Sequence, residues 1–221
     1  MEAGVIFDMD GTLINNMAYH LEAFHVMYQR YNIPPISDEN FLNYSNGRTN
    51  DDVMRFVFGS GISQEQVKEL SYEKESVYRD LYRPHLQLSK GLQPIIEELY
   101  RRQVPMAVGS SADDENIDFV LDGLNIRRYF KAVVNSTQVT HGKPHPECFL
   151  KCAAALQRLP QRCVVFEDAV AGVQAALAAG AKAIAITSVM PREALRQADL
   201  VIDSFEEVNV ETILQMVQSL K

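Results

Sequence analysis

The sequence predicts an α/β protein: a doubly wound, Rossmann-like parallel sheet with an inserted α-helical bundle. Three observations predict it. Six short apolar, β-branched runs alternate with helical stretches, about seventy residues of helical character follow the first run, and several runs end in polar side chains, as strands do where a parallel sheet binds its ligand. With 221 residues, 47% of them hydrophobic, the chain has the apolar content for one domain of ordinary size, or for one carrying a smaller insert.

The elements follow in chain order. "GVIF" is the first strand, and residues 1–14 open the core domain. Residues 15–83 form the expected insert, a helical cap. Its first helix is expected to bury Met17, Leu21, Phe24, Tyr28 and Tyr31 on one stripe, and its last Val67, Leu70, Val77 and Leu81, so that the two faces pack together. "NIPP" and "GSG" mark turns within it. After "RPHLQLSKG" the alternation resumes, and residues 84–221 complete the core with the strands "VPMAV", "KAVV", "CVVF", "KAIAI" and "DLVI" and a closing helix from Val208 to Leu220. The helix in "AVAGVQAALAAG" is rich in small residues that allow close approach to a sheet, and Gly180 suits a left-handed cap. That pattern reads as packing rather than chemistry.

Charge and composition exclude several classes. The net charge is -8 and no Lys/Arg cluster tracks a phosphate backbone, so no nucleic-acid partner is expected. No stretch approaches the roughly 18 apolar residues of a bilayer span. The start "MEAGVIF" has neither the basic nor the long apolar region of an export signal, so a cytoplasmic location is expected. Cys148, Cys152 and Cys163 are then expected to be reduced, and the first two to serve as small buried hydrophobes, since no His or further Cys completes a metal set around them. No pattern specifies an oligomeric state.

Chemistry is concentrated at the strand ends. The first run ends in Asp8 and Asp10, the second in Ser110 and Ser111, and "CVVF" in Glu167 and Asp168, while Lys143 lies in the loop "HGKPHPE". Singly, each has a bland reading as a helix cap, surface turn or solvated loop. Together they supply carboxylates for a hard cation, a hydroxyl for phosphoryl oxygens, a fixed ammonium and a carboxylate able to attack. The acid pair has three readings: a calcium loop, a solvated turn, or a nucleophile with its proton-transfer partner. A calcium loop places its turn glycine sixth, whereas Gly11 comes fourth counting from Asp8, and the segment before it is a strand. In extended backbone, residues two apart point to one side, so Asp8 and Asp10 can face one reacting group while Gly11 turns the chain away.

"DMDGT", "VGSS", "GKPHPE" and "VVFEDAVAGVQAALAAG", in that order, resemble the motifs of the haloacid dehalogenase superfamily of phosphohydrolases, in particular the members with a helical cap after the first strand. The resemblance covers essentially the whole chain. It implies that Asp8 attacks phosphorus and forms an aspartyl-phosphate, and that Asp10, absent from members that cleave carbon–halogen bonds, exchanges protons with the leaving group and the incoming water. It implies Mg²⁺ held by Asp8, the Asp10 carbonyl and Asp168, with Glu167 in the outer shell. Ser110 and Lys143 would contact the phosphoryl group, with Gly11, Thr12 and Ser111 lining its site. The expected substrate is a small phosphorylated metabolite, a sugar phosphate for preference.

Within the family the motifs are similar to those of sugar-phosphate phosphatases and of β-phosphoglucomutase. His20 and Lys74 match positions where the mutase has a His and a Lys, whereas Asn50 stands where it has an arginine for the second phosphate, and Arg48 lies two residues earlier. That departure favours hydrolysis, with the mutase as the alternative. A non-enzymatic phospho-aspartate receiver module uses a similar side-chain set, but it puts the modified Asp on a later strand and has no helical insert. Hinges for cap motion are expected near Leu13–Asn16 and Leu81–Leu86.

Overall fold

The computed structural model describes residues 3–45 and 50–218, so Arg48 lies outside the described residues. All six expected runs are strands: β1 (Gly4–Phe7), β2 (Met106–Gly109), β3 (Phe130–Val134), β4 (Cys163–Glu167), β5 (Lys182–Ile186) and β6 (Leu200–Ile202). They make one parallel sheet in the order β3-β2-β1-β4-β5-β6. The order grows outward from β1 in both directions. The connections therefore diverge between β1 and β4, and a crevice opens at the carboxyl ends of those strands. β1, β2 and β4 are buried along their whole length, which is why they read as unbroken apolar runs and not as alternating ones.

The chain divides into two compact units, Met1–Asn15 with Gln87–Lys221, and Asn16–Leu86. The second unit holds α1 (Met17–Arg30), α2 (Asp38–Ser45), α3 (Asn50–Phe58) and α4 (Gln64–Tyr82). A 3₁₀ turn at Arg83–His85 continues α4 and carries the unit to Leu86. α4 starts at a capping box in which the Ser63 side chain accepts from the Gln66 amide and the Gln66 side chain accepts from the Ser63 amide.

The buried faces of this bundle differ from the expected stripes. α1 buries Ala23, Phe24, Met27 and Tyr28, while Tyr31 is exposed, with its hydroxyl donating to Glu73. α4 buries Val67, Leu70, Lys74, Tyr78 and Tyr82, with Val77 and Leu81 only half-buried. The reason is size. Tyr78 and Tyr82 bury more area per side chain than Val77 and Leu81, so the helix turns its aromatic edge inward and takes Lys74 with it.

In the first unit, α5 (Leu92–Arg101), α6 (Asp114–Gly123), α7 (Glu147–Leu156), α8 (Val170–Ala178) and α9 (Val210–Gln218) accompany the sheet. α7 packs on β1, β2 and β3 and α8 on β4 and β5, enclosing Ile6, Ala107, Phe149, Val165 and Val173. α9 packs on β4 and against α5. Phe7 and Phe166 stack at 5.0 Å, and Phe166 meets Phe205 at 5.3 Å. Each such side chain contributes about 1.5–3 kcal/mol of burial. Cys148, Cys152 and Cys163 are free and buried, the first two as expected of small hydrophobes. The closing helix begins at Val210 because a 3₁₀ turn, Phe205–Glu207, and the extended Val208 precede it. No helix among the described residues is long and apolar enough to cross a membrane.

Candidate active site

β1 is pinned between its neighbours, and the Asp8 amide continues the ladder by donating to Phe166 O at 2.9 Å. This fixes Asp8 at the crevice. The chain then turns at Gly11, whose φ of 77° is a left-handed conformation suited to glycine. A side chain here would also collide with the Asp168 carboxylate, which lies directly against the Gly11 backbone. The turn is tied down by hydrogen bonds from Ser188 Oγ to Gly11 O (2.5 Å) and from Ser89 Oγ to Thr12 O (2.7 Å). Thr12 itself is fully buried, and its hydroxyl has no hydrogen-bond partner among the described residues.

Lys143 crosses from its loop to the centre of this crevice. Its ammonium donates to Asp8 Oδ1 at 2.5 Å, to Glu167 Oε1 at 2.7 Å and to Gly109 O at 3.1 Å. Glu167 is fixed in turn. Its second oxygen accepts from the Asp168 amide at 2.9 Å and the Ala169 amide at 2.8 Å. The Glu167 carboxylate occupies the space over Gly172 where any side chain would stand, so the helix that read as mere packing also makes room for a charged group. Both Glu167 oxygens are thus engaged with nitrogen donors, which makes Glu167 the anchor of Lys143 and of the first turn of α8.

Ser110 is 2% exposed, donates its amide to Val134 O at 2.9 Å and accepts the Ala112 amide on Oγ at 3.0 Å. Its hydroxyl proton is not used in that bond. The cap of α6 is Asp113, which accepts from the Asn116 amide, so the serine pair is not a helix cap. Ser111 is exposed, and Asp10 is half-buried next to Gly11.

Asp8, Glu167 and Asp168 are 6%, 1% and 5% exposed, and three buried carboxylates face one lysine. Burial pushes the Asp8 carboxyl well above the usual carboxylate range; Lys143 opposes that rise and Glu167 adds to it. Asp168 is pushed up for the same first reason, and then by repulsion from Glu167 and Asp8. Burial works against the charge of Lys143, but attraction to Asp8 and Glu167 outweighs it and holds the ammonium cationic. This excess of buried negative charge, built only of hard oxygen donors, suits a divalent cation.

The second unit carries its own buried polar cluster. Lys74, 4% exposed, donates to Glu75 Oε1 at 2.8 Å and meets His20 Nδ1 at 2.7 Å. The His20 ring stacks on Tyr78 at 3.8 Å, and the Asn16 side chain reaches both Tyr78 Oη (2.6 Å) and His20 Nε2 (3.2 Å). Sequence reasoning named His20 and Lys74, though not as partners, and missed the roles of Asn16, Glu75 and Tyr78. Glu75 beside a lysine on an apolar stripe was the available signal. Asn50 opens α3 and is exposed.

A doubly wound sheet whose switch point gathers acids, a hydroxyl and a buried lysine is suited to phosphoryl chemistry. The chain belongs to the haloacid dehalogenase-like hydrolase family, whose model matches residues 5–186. It is 32% identical over 182 residues to the fructose-1-phosphate phosphatase YqaB of Escherichia coli, covering 82% of this chain and 95% of that one. It is 28% identical over 214 residues to the beta-phosphoglucomutase of Bacillus subtilis, covering 95% of this chain and 92% of that one. Among solved structures, a HAD hydrolase of family IA, variant 3, from Entamoeba histolytica superposes with a TM-score of 0.90 at 29% identity, covering 97% of this chain and 99% of that one.

Proposed function

We propose that the protein is a Mg²⁺-dependent phosphatase that hydrolyses a small phosphorylated sugar through an aspartyl-phosphate on Asp8. The observation that carries this reading is the Lys143 ammonium bridging Asp8 Oδ1 and Glu167 Oε1, which sets a fixed cation beside a buried carboxylate at the sheet's switch point. The sugar-phosphatase and mutase names of the relatives support the substrate class.

Asp8 attacks phosphorus as the bond to the sugar oxygen breaks, and Asp10 gives that oxygen a proton. Asp10 then takes a proton from water. The water oxygen attacks phosphorus, the bond to Asp8 breaks, and inorganic phosphate leaves with both carboxyl groups restored. Lys143 offsets the charge shared by Asp8 and the transferring group, Ser110 offers its hydroxyl proton to a phosphoryl oxygen, and Glu167 keeps Lys143 in place. Mg²⁺, held by the carboxylates of Asp8 and Asp168 and the Asp10 carbonyl, would neutralise phosphoryl charge. Asn50, at the position where the mutase has an arginine, favours hydrolysis, while the His20–Lys74 hydrogen bond and the likeness to a beta-phosphoglucomutase favour the mutase.

The test is a phosphate-release screen over hexose, pentose and polyol phosphates with Mg²⁺, run beside a β-glucose 1-phosphate isomerisation assay. Phosphate release is expected to dominate and to vanish in Asp8→Asn. Isomerisation outrunning release would replace the phosphatase by the mutase.

A further inference from the structure

We propose that His141, His145 and Glu147 form a second metal site, for a divalent transition ion of the Zn²⁺, Co²⁺ or Ni²⁺ kind, separate from the carboxylates at the end of β1. One donor atom from each of the three residues lies within 4.8 Å of the others, and among the described residues no other group of three His, Cys, Asp or Glu meets that condition. The two imidazoles lie 4.5 Å apart. His141 Nδ1 is 3.4 Å from Glu147 Oε2, and His145 Nδ1 is 3.3 Å from the Glu147 amide nitrogen, so both rings turn Nδ1 toward the start of α7.

The carboxylate is already in position. The Thr140 amide donates to both its oxygens at 3.1 Å, the His141 amide to Oε2 at 2.9 Å, and Lys151 holds Oε1 at 2.7 Å. Lys151 sits on Oε1, while His141 Nδ1 faces Oε2.

Two imidazoles and a carboxylate are a borderline donor set that favours Zn²⁺ and its neighbours, whereas Mg²⁺ demands oxygen ligands. Both rings are exposed and can rotate to close the span to the Zn–N distance of about 2.0–2.1 Å. Binding takes the His145 lone pair from the Glu147 amide, which lies in the first turn of α7 where water can replace it. An ion held here ties together residues on both sides of Lys143, in the loop that delivers the ammonium to Asp8.

The test is calorimetric titration of Zn²⁺ into the full chain in excess Mg²⁺, for wild type, His141→Ala, His145→Ala and Asp168→Asn. One Zn²⁺ per chain is expected, with affinity unchanged in Asp168→Asn and lowered at least roughly tenfold in each histidine variant, since outer-shell partners alone are worth that much. Co²⁺ in place of Zn²⁺ should show a visible ligand-field spectrum in wild type that is lost in both histidine variants. Far-UV circular dichroism checks that the variants fold. Absence of Zn²⁺ binding in excess Mg²⁺ would overturn the proposal, as would binding that survives both histidine replacements or disappears in Asp168→Asn.

Discussion

Gly172→Ala should destabilise this protein, although the same change in the interior of an ordinary helix stabilises by about 1 kcal/mol. The added methyl would overlap the Glu167 carboxylate. That carboxylate makes three hydrogen bonds, at 2.9 Å to the Asp168 amide, 2.8 Å to the Ala169 amide and 2.7 Å to the Lys143 ammonium. A carboxylate swung away from the helix keeps at most one of them. Hydrogen bonds to charged groups are worth about 1.5–3 kcal/mol each, so the loss of two removes about 3–6 kcal/mol. Subtracting the alanine propensity leaves a net loss of about 2–5 kcal/mol. For a chain of this size that lowers Tm by roughly 4–20 °C. Urea unfolding measures the free energy, with Gly61→Ala as control, because nothing stands within 4 Å of a side chain at Gly61. Phosphate release should fall in the same variant, since Lys143 loses its anchor. A Gly172→Ala protein as stable as wild type, or more so, would refute the claim that α8 makes room for Glu167.

Lys74→Met removes the ammonium that joins His20 to Glu75 within the helical unit, and should cost about 3 kcal/mol in urea unfolding, the range for breaking a buried ion pair; adding Glu75→Gln should recover part of that loss. Glu98 is brought from its usual 4.5 to about 2 by hydrogen bonds from Arg101 and then Arg102. Its folded value lies below its unfolded one, so its contribution to stability is fully present above 4.5 and is lost as pH falls through about 2. Thermal scans across that window should therefore show a shallower acid limb in Glu98→Gln. Asp168 is displaced the other way, so its ionisation costs stability above the usual 3.8. Metal-free Asp168→Asn should melt above metal-free wild type at neutral pH, with the gap closing as pH falls toward 3.8. Added Mg²⁺ should raise the Tm of wild type and leave that of the variant unchanged.

Strand positions were legible because burial on both faces writes itself as unbroken runs such as "GVIF" and "CVVF", and Asp8, Ser110, Glu167 and Asp168 because each stands at the end of such a run. The bundle's buried faces were less so. Hydrophobicity alone ranks Val77 and Leu81 above Tyr78 and Tyr82, yet the tyrosines fill more space and Tyr78 Oη finds a partner in Asn16. That partner comes from the start of α1, 62 residues away, a separation no local pattern reveals. Gly172 failed for a related reason. A glycine among alanines looks like any other small residue until the carboxylate above it is known.

Asp8 and Asp168 stay close enough to repel each other and are pushed up by burial. Glu167 spends both oxygens on Lys143 and two amides at the start of α8. The helix amides stabilise its charge, and Lys143 is then shared between an acid satisfied on its other side and one that is not. This asymmetry aims the ammonium. Were Glu167 an amide, Lys143 would lose an anionic partner and Asp8 a repulsive neighbour, so the same ammonium would settle more firmly on Asp8. In the mechanism proposed above, holding Lys143 between two carboxylates would keep Asp8 from being fully neutralised by it and leave its remaining charge for a metal ion and for phosphorus.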